Sequence, residues 1–167
     1  MTTLQACLRY LDANEVRYTH TSHPLAHTAQ EVALAEFMPA HRVAKIVVFQ
    51  NADDNYLLVA VPADAYVDLE LVRTAIGLRT IRPARESEIS SLFPQAEVCT
   101  MPPLTALAHL PIYLDRELAD QEFIALPAGT HRDLIHMRVT DFLRLTKPII
   151  GSFSRPDYWE KSFAAGF

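Results

Sequence analysis

Apolar residues in the first part of the chain recur at two spacings, which predict first a helix and then a strand. Leu4, Leu8 and Leu11 lie three or four positions apart, so residues 3–13 are predicted to form an amphipathic helix. The next segment, "VRYTHT" at residues 16–21, is rich in β-branched and aromatic residues and is predicted to form a short strand.

A second helix is predicted over residues 27–37, "HTAQEVALAEF". Thr28 is a suitable N-cap, and Glu31 stands three residues later, which is the capping-box pattern. The helix is therefore predicted to start at Thr28.

Residues 42–63 show the pattern of a β-hairpin. "RVAKIVVFQ" and "YLLVAVPA" are apolar runs rich in β-branched residues, and the polar turn "NADDN" separates them. In an extended strand Val47 and Phe49 share one face, while Ile46 and Val48 share the other. Because both faces are apolar, the hairpin is predicted to belong to a sheet that is covered on both sides.

The rest of the chain alternates helix and strand patterns without the regular rhythm of βαβ units. Helices are predicted at residues 68–77, ended by Gly77, at 86–93, and at 140–146, capped by Thr140, and strands at 112–118, 122–129 and 133–139. The sequence therefore predicts a mixed α+β fold, with one domain over residues 1–150 and a C-terminal tail over residues 151–167.

Charge and cysteine content narrow the possible functions. The 167 residues carry a formal net charge of −5, which argues against a broad nucleic-acid-binding surface but allows a small site for one or two phosphates. Cys7 and Cys99 are too few and too far apart for a disulfide framework or a zinc site. Because no apolar run approaches the roughly 20 residues of a membrane span, and no signal peptide is seen, a cytoplasmic location is expected.

Lys45 is a charged residue in the middle of the apolar run from Val43 to Phe49. An ammonium group there is costly unless it is paired or opens into a cavity. Three interpretations remain open: an edge-strand lysine that discourages aggregation, a lysine whose stem lies along apolar surface, and a pocket lysine that binds an anion or polarises a carbonyl.

Two further segments have the composition of pocket walls. In "CTMPPLTALAH", residues 99–109, adjacent prolines restrict the backbone, and such a loop either walls a pocket or simply connects two elements. In "PAGTHRDLIHM", residues 127–137, Gly129 suits a tight turn. His131 in that turn either serves in acid–base chemistry or lies on the surface of a hairpin.

His20, His23 and His27 stand at short spacing and raise the question of a metal site. Pro24 prevents one helix from presenting all three on one face, and no cysteine or acidic pair nearby completes a ligand set. No metal is therefore predicted. The chain also has no G-x-S-x-G elbow and no glycine-rich phosphate loop, so neither motif supplies a function.

The order of these segments is similar to that of a known family. "HPLAHTAQEVALA", "AKIVVF", the proline-pair loop, "IYLDREL", "EFIALPAGTH" and "DFLRL" follow one another as in the YbaK/ProX family of aminoacyl-tRNA deacylases, which is related to the editing domain of bacterial prolyl-tRNA synthetase. The resemblance covers roughly residues 5–148. It implies a curved, barrel-like mixed β-sheet with flanking helices, and hydrolysis of the ester between a wrongly attached small amino acid and the terminal adenosine of tRNA.

The resemblance also implies a set of site residues. Lys45 matches the strand lysine that holds the phosphate–ribose end of the tRNA, and the segment 99–105 matches the G-x-x-x-P loop of the family. The catalytic residues implied are Lys45, Gly129 and His131, and the substrate-binding residues are Thr28, Ile46, Cys99, Met101, Pro102, Pro103, Thr105 and Thr130. The family implies no metal, no cofactor and no side-chain nucleophile. Water attacks the ester, helped by backbone amides at the carbonyl oxygen and by a ribose hydroxyl of the substrate.

Three positions depart from the family pattern. Cys99 and Thr105 stand where members usually have glycine, and Ile46 follows the lysine where the alanine-specific branch is often polar. A cysteine in place of the first glycine adds bulk beside the aminoacyl carbonyl and removes backbone freedom. Two functions therefore stay open: a trans-editing deacylase, or a non-catalytic relative that binds a tRNA end, a nucleotide or a protein partner.

Overall fold

A computed structural model describes residues 1–77, 79–97 and 99–156. The helices in these ranges are α1 (Thr3–Ala13), α2 (Ala29–Ala35), α3 (Leu69–Ile76), α4 (Glu86–Leu92), α5 (Thr105–Ala108), α6 (Arg116–Ala119) and α7 (Val139–Thr146). The strands are β1 (Tyr18–Ser22), β2 (Ala44–Asn51), β3 (Tyr56–Pro62), β4 (Ala65–Val67), β5 (Ile81–Pro83), β6 (Ile112–Asp115), β7 (Phe123–Pro127), β8 (Asp133–Arg138), β9 (Ile149–Gly151) and β10 (Ser154–Pro156). The prediction of a mixed α+β fold is confirmed.

The strands form three sheets. The largest has the order β5-β2-β3-β6-β9, in which β5, β2 and β3 are antiparallel and β3, β6 and β9 are parallel. A second, antiparallel sheet has the order β1-β8-β7, and β4 pairs with β10 in a two-stranded ladder. None of these sheets closes into a barrel in the described part of the chain, so the barrel-like closure implied by the resemblance is not confirmed.

The β2–β3 hairpin forms as predicted and is covered on both faces. On one face Ile46 and Val48 pack into the main core, to which α1 and α7 also contribute. On the other face Phe49 and Val59 pack with Val72 of α3. Burying each such side chain stabilises the fold by about 1.5–3 kcal/mol, so the hairpin is a firm support for any residue that it carries.

The first two helices begin at the caps that their sequences supply. At α1 the Thr2 hydroxyl accepts from the N–H of Gln5 at 3.1 Å, and the Gln5 side chain accepts from the N–H of Thr2 at 3.0 Å. At α2 the Thr28 hydroxyl accepts from the N–H of Glu31 at 3.1 Å, which confirms the predicted cap. The Glu31 carboxylate accepts from the N–H of His27 at 3.0 Å, one residue earlier than a capping box requires.

Two predicted boundaries are wrong. The strand predicted over residues 112–118 ends at Asp115, because the Asp115 carboxylate accepts from the N–H of Glu117 at 2.9 Å and starts α6. Thr140, predicted as the cap of α7, lies inside that helix. The reason is that β8 runs directly into α7, so its last residue, Arg138, occupies the N-cap position.

Several short elements are absent from the predicted pattern. The strands β4, β5, β9 and β10 have three residues each, and α5 is one turn of helix inside the predicted rigid loop. β9 joins the largest sheet and β10 pairs with β4. The predicted domain boundary at residue 150 stays a prediction, and residues 157–167 lie outside the described ranges. In those ranges no helix combines the length and the apolar character needed to cross a membrane.

Candidate active site

A cavity of about 360 Å³ opens at one edge of β2. Five consecutive residues of this strand, 44–48, line it. Because successive side chains of a strand point to opposite faces, such a run lines one cavity only where the edge of the strand faces it. The edge is open at this point, since the isolated bridge to Ala125 of β7 is made by Val43, just before β2, and the pairing with β5 begins at Phe49.

Both polar and apolar residues line the cavity. The polar residues that line it, apart from Lys45, are His23, His27, Thr28, Glu97, Cys99, Thr100, Thr130, His131 and Asp133. Larger apolar residues that line it are Val32, Val43, Ile46, Val47, Val48, Ile89, Phe93, Met101 and Leu134. The structure thus brings seven of the predicted site residues together: Lys45, His131, Thr28, Ile46, Cys99, Met101 and Thr130.

Lys45 lines the cavity from β2 and is half-buried. Its ammonium group donates a hydrogen bond to the backbone carbonyl of Ala65, the first residue of β4. β5 pairs with β2 only from Phe49 onward, so Lys45 lies on the open stretch of this edge, where the strand lines the cavity. Among the three interpretations that the sequence leaves open, this position favours the pocket lysine.

The proline loop and the Gly129 turn are tied together by backbone hydrogen bonds. The N–H of Glu97 donates to the carbonyl of Gly129 at 3.0 Å, and the N–H of Gly129 donates to the carbonyl of Thr100 at 2.8 Å. The Glu97 carboxylate accepts from the backbone N–H of His131 at 2.8 Å. Loop and turn therefore act as one wall, although they are far apart in the sequence.

Gly129 is required by two features of this wall. Its φ of +96° lies in the region that side chains rarely adopt, and an added Cβ would stand 2.6 Å from the Cβ of Thr3. Gly129 does not itself line the cavity among the described residues. It lets the turn approach the start of α1 and thereby brings Thr130 and His131 to the cavity.

Cys99 stands where the family pattern has glycine, and its backbone has the conformation that glycine favours. Its φ is +63°, in the left-handed region. Desolvation of the sulfur, together with the negative charge of Glu86, raises the pKa of Cys99, so the thiol stays protonated near neutral pH. The loop keeps a glycine-like path while the side chain adds bulk to the cavity wall.

The two adjacent prolines are placed differently from the expectation that they wall the pocket. Pro102 and Pro103 are buried, and the described residues of the loop that line the cavity are Glu97 and Cys99 through Met101. The prolines stiffen the loop from behind its cavity surface. Thr105 begins α5, and its side chain lies outside the part of the chain that the structure describes.

His131 and His27, two of the polar residues that line the cavity, form a ring pair. Their ring centroids are 4.9 Å apart with an interplanar angle of 56°, and His131 Nε2 lies 3.7 Å from Glu97 Oε2. His23 is buried, and its Nδ1 donates to the carbonyl of Pro24 at 2.8 Å. These contacts hold the imidazoles as hydrogen-bonding and packing groups of the wall.

The three histidines considered as metal ligands do not converge. His20 lies on β1, where its Nε2 is 2.7 Å from Asp133 Oδ1, whereas His23 and His27 line the cavity. Over the described ranges no group of three or more His, Cys, Asp or Glu side chains is arranged to hold a metal ion.

Asp133 orients the hydroxyl of Thr130 in the cavity wall. The Thr130 hydroxyl donates to Asp133 Oδ2 at 2.6 Å and accepts from the N–H of Arg132 at 3.0 Å. Burial by itself raises the pKa of Asp133, but the hydrogen bonds from Thr130 and His20 outweigh it, so the pKa lies below its ordinary value.

Sequence reasoning missed five polar residues of the cavity: His23, His27, Glu97, Thr100 and Asp133. His27 directly precedes the predicted cap Thr28, and the two carboxylates stand two residues from Cys99 and His131, respectively. Closeness to predicted positions was the signal available, because the hydrogen bonds from Glu97 to His131 and from Asp133 to His20 join residues far apart in the sequence.

Comparisons with known proteins identify the family and the fold. The family profile described as an aminoacyl-tRNA editing domain matches residues 23–145, a range that includes every described residue lining the cavity. Among curated proteins, no sequence matches the chain significantly.

Solved structures share the fold. A crystal structure described as a candidate trans-editing enzyme for prolyl-tRNA synthetase is 21% identical with a TM-score of 0.79, and the match covers 93% of this chain and 98% of that one. A candidate signal transduction protein from Marinobacter aquaeolei VT8 is 18% identical with a TM-score of 0.67, and the match covers 89% of this chain and 30% of that one. At these identities the matches establish the fold alone.

Proposed function

The chain belongs to the aminoacyl-tRNA editing-domain family, and on that premise we propose that it is a trans-editing hydrolase that deacylates mischarged aminoacyl-tRNA in the cytoplasm. The bond cleaved is the ester between a small amino acid and the terminal adenosine. Water adds to the ester carbonyl, and the released ribose hydroxyl takes up the proton. No metal, cofactor or side-chain nucleophile takes part.

The observation that carries this proposal is the position of Lys45 in one cavity with the Cys99 loop and the Thr130–His131 turn. The chain as a whole is acidic, with a net charge of −5, so a tRNA end gains little attraction from the molecular surface. A half-buried ammonium at the cavity wall supplies a local cation for a phosphate or ribose oxygen.

The open edge of β2 supports a role for a backbone amide at the ester carbonyl. The carbonyl of Val48 accepts from the N–H of Ala84 at 2.8 Å, so the backbone groups of Val48 point away from β3. Because these groups alternate in direction along a strand, the N–H of Ile46 points to the same side, where the cavity lies. A donor in this position stabilises the oxyanion that forms when water attacks.

The walls of the cavity favour a small, uncharged amino-acid side chain. Ile46, Phe93 and Met101 offer aliphatic and aromatic surface, and a charged side chain buried there would lose its hydration without a partner. Glu97 is one of the polar residues that line the cavity, and its carboxylate suits the α-ammonium group of the amino acid. Thr130 and His131 line the cavity beside it and help to shape the amino-acid pocket.

A second function, binding without hydrolysis, is favoured by one feature. Cys99 places a side chain in the cavity where the family pattern has glycine. The variant Cys99→Gly discriminates between the two functions. If only the glycine variant hydrolyses aminoacyl-tRNA, the native chain is a binding relative whose site has lost activity.

The experiment that tests the proposal is a deacylation panel. Purified protein is mixed with tRNAs charged with alanine, serine, cysteine, threonine or proline, and release of the amino acid is followed against the spontaneous rate. We expect at least one ester to be cleared by the wild type, and that activity to be lost in Lys45→Ala but retained in Lys147→Ala. A wild type that clears none of them would refute the enzymatic function.

A further inference from the structure

We propose that the C-terminal strand β10 positions the Lys45 ammonium group, acting through β4. The consequence for catalysis rests on the proposed function, whereas the positional coupling does not. The contacts form one chain: buried Asp115 anchors β10, β10 pairs with β4, and the Ala65 carbonyl of β4 accepts the hydrogen bond of Lys45.

The first link is the contact between Lys45 and β4. A lysine ammonium sits on a flexible four-carbon stem, so its location depends on what the head contacts. Here the head donates to the carbonyl of Ala65, a backbone group that cannot swing away as a side chain can. The position of the Ala65 backbone therefore contributes to the position of the charge.

The second link is the pairing of β4 with β10. β4 has three residues and pairs with β10 in a two-stranded sheet of its own, with Ala65 opposite Pro156 and Val67 opposite Ser154. A strand of this length is too short to hold itself in place. Its position is set on one side by Ala63, whose N–H donates to the carbonyl of Val43 at 2.9 Å, and on the other by its partner β10.

The third link is the direction of the Ala65 carbonyl. The N–H of Asp68 donates to the carbonyl of Phe153 at 2.9 Å, in register with the ladder. The backbone groups of successive residues in a strand point to opposite edges. Asp68 points towards β10, so the groups of Ala65, three residues earlier, point away from it. This is the side on which Lys45 meets them. Pro156 fits opposite Ala65 because its missing N–H belongs to a position that does not bond to β4.

The fourth link is the anchoring of β10 to the body of the protein. Asp115 is only 2% exposed, and its Oδ2 accepts from the N–H of Phe153 and from the Ser154 hydroxyl, each at 2.9 Å. Phe153 is 1% exposed, and Arg155 forms an ion pair with Asp68. A buried carboxylate is costly unless it is well satisfied, so these contacts mark β10 as a fixed part of the fold.

The test compares one mild double variant with a matched control. Ser154→Ala combined with Arg155→Ala removes one hydrogen bond to Asp115 and the ion pair to Asp68 and leaves the buried Phe153 in place. The control, Arg138→Ala, removes an exposed ion pair with Glu122 elsewhere on the surface. The chain has three lysines, so protein labelled with 13C at the lysine ε-carbon gives three resonances, and Lys45→Arg identifies that of Lys45.

We expect the Lys45 resonance and its titration midpoint to move in the double variant and to stay unchanged in Arg138→Ala, while the Lys147 resonance stays fixed in both. The kcat/KM for deacylation should fall about three- to tenfold in the double variant alone, as expected for the loss of one well-placed hydrogen bond. An unmoved Lys45 resonance would overturn the positional coupling, whether or not the wild type is active. A moved resonance with unchanged kcat/KM would overturn its catalytic role, and a wild type without activity would refute the proposed function instead.

Discussion

The two walls of the cavity are built in different ways. β2 is a regular strand, and its neighbours in β3, including Val59 and Val61, are completely buried. In the wall made of the proline loop and the Gly129 turn, Cys99 and Gly129 have positive φ, +63° and +96° respectively. The strand supplies rigidity and places the charge, whereas the loop and turn set the shape of the space next to it.

This difference separates what each wall contributes. Changes at Lys45 should alter chemistry with little effect on folding, since the hairpin is held by its apolar neighbours. Changes at the backbone-constrained positions of the other wall should alter folding first. Each prediction below compares a variant in one of the two walls with a second variant or with wild type.

The largest effect is expected for Lys45→Met, which removes the charge and keeps an unbranched stem. Initial rates of deacylation should fall by about 100-fold or more, the scale seen when one stabilising donor is lost from an active site. The free energy of unfolding, measured in urea, should change by less than about 1 kcal/mol, because one hydrogen bond is lost but the desolvation of the charge is relieved. The exposed Lys147→Met is the control. Equal losses of activity in both variants would contradict the role of Lys45.

The second prediction compares two glycines with positive φ. Gly77→Ala has no heavy atom within 4 Å of the new Cβ, so it should cost only the left-handed backbone penalty of about 1–2 kcal/mol. Gly129→Ala adds a clash at 2.6 Å with Thr3, so it should cost about 2–4 kcal/mol. Urea unfolding measures both costs. Equal destabilisation would show that the turn is not held against α1.

The third prediction concerns the strain at Cys99. Cys99→Gly should be more stable than Cys99→Ala by about 0.5–1 kcal/mol, because glycine adopts the positive φ without penalty but loses more entropy on folding. Thermal or urea unfolding of the two variants gives the difference. An alanine variant as stable as the glycine variant would mean that the loop backbone relaxes out of the left-handed region.

The smallest effect is expected for the pH dependence of the Gly129 turn. The pKa of Asp133 is lowered in the folded protein, so its contribution to stability is present above its unfolded pKa of about 3.9 and is lost as the pH falls through the folded value. Between pH 6 and pH 3, wild type should therefore lose more of its free energy of unfolding than Asp133→Asn. Parallel losses in the two proteins would exclude this contribution.

Much of the fold could be predicted because its pattern is local. The β2–β3 hairpin and the start of α2 at Thr28 follow from the period of apolar residues and from a cap. The strands β4, β9 and β10 could not be predicted, because three residues carry no measurable period and their partners lie far along the chain. The end of β6 has a local signal, the hydrogen bond from the N–H of Glu117 to the Asp115 carboxylate, and the predicted strand ran past it.

The site divides in the same way. Lys45 was found because a charge in an apolar strand is visible in the sequence, and Cys99 and His131 because they lie in recognisable segments. Glu97 and Asp133 resemble ordinary surface residues in the sequence, and their long-range contacts, with the N–H of His131 and with the His20 ring, become visible only in the fold. The prolines of the loop are conspicuous in the sequence, yet they are buried and do not line the cavity.

The central claim is that one substrate contacts both walls, with its phosphate or ribose on Lys45 and its ester carbonyl at the edge of β2, and with the α-ammonium group of its amino acid at Glu97 of the other wall. The most direct test is a crystal structure with a non-hydrolysable aminoacyl-adenosine phosphate in which an amide replaces the ester. We predict the Lys45 Nζ within about 3 Å of a phosphate or ribose oxygen, and the N–H of Ile46 directed at the amide carbonyl. An analogue bound outside the cavity, or within it but out of reach of Lys45, would contradict the claim.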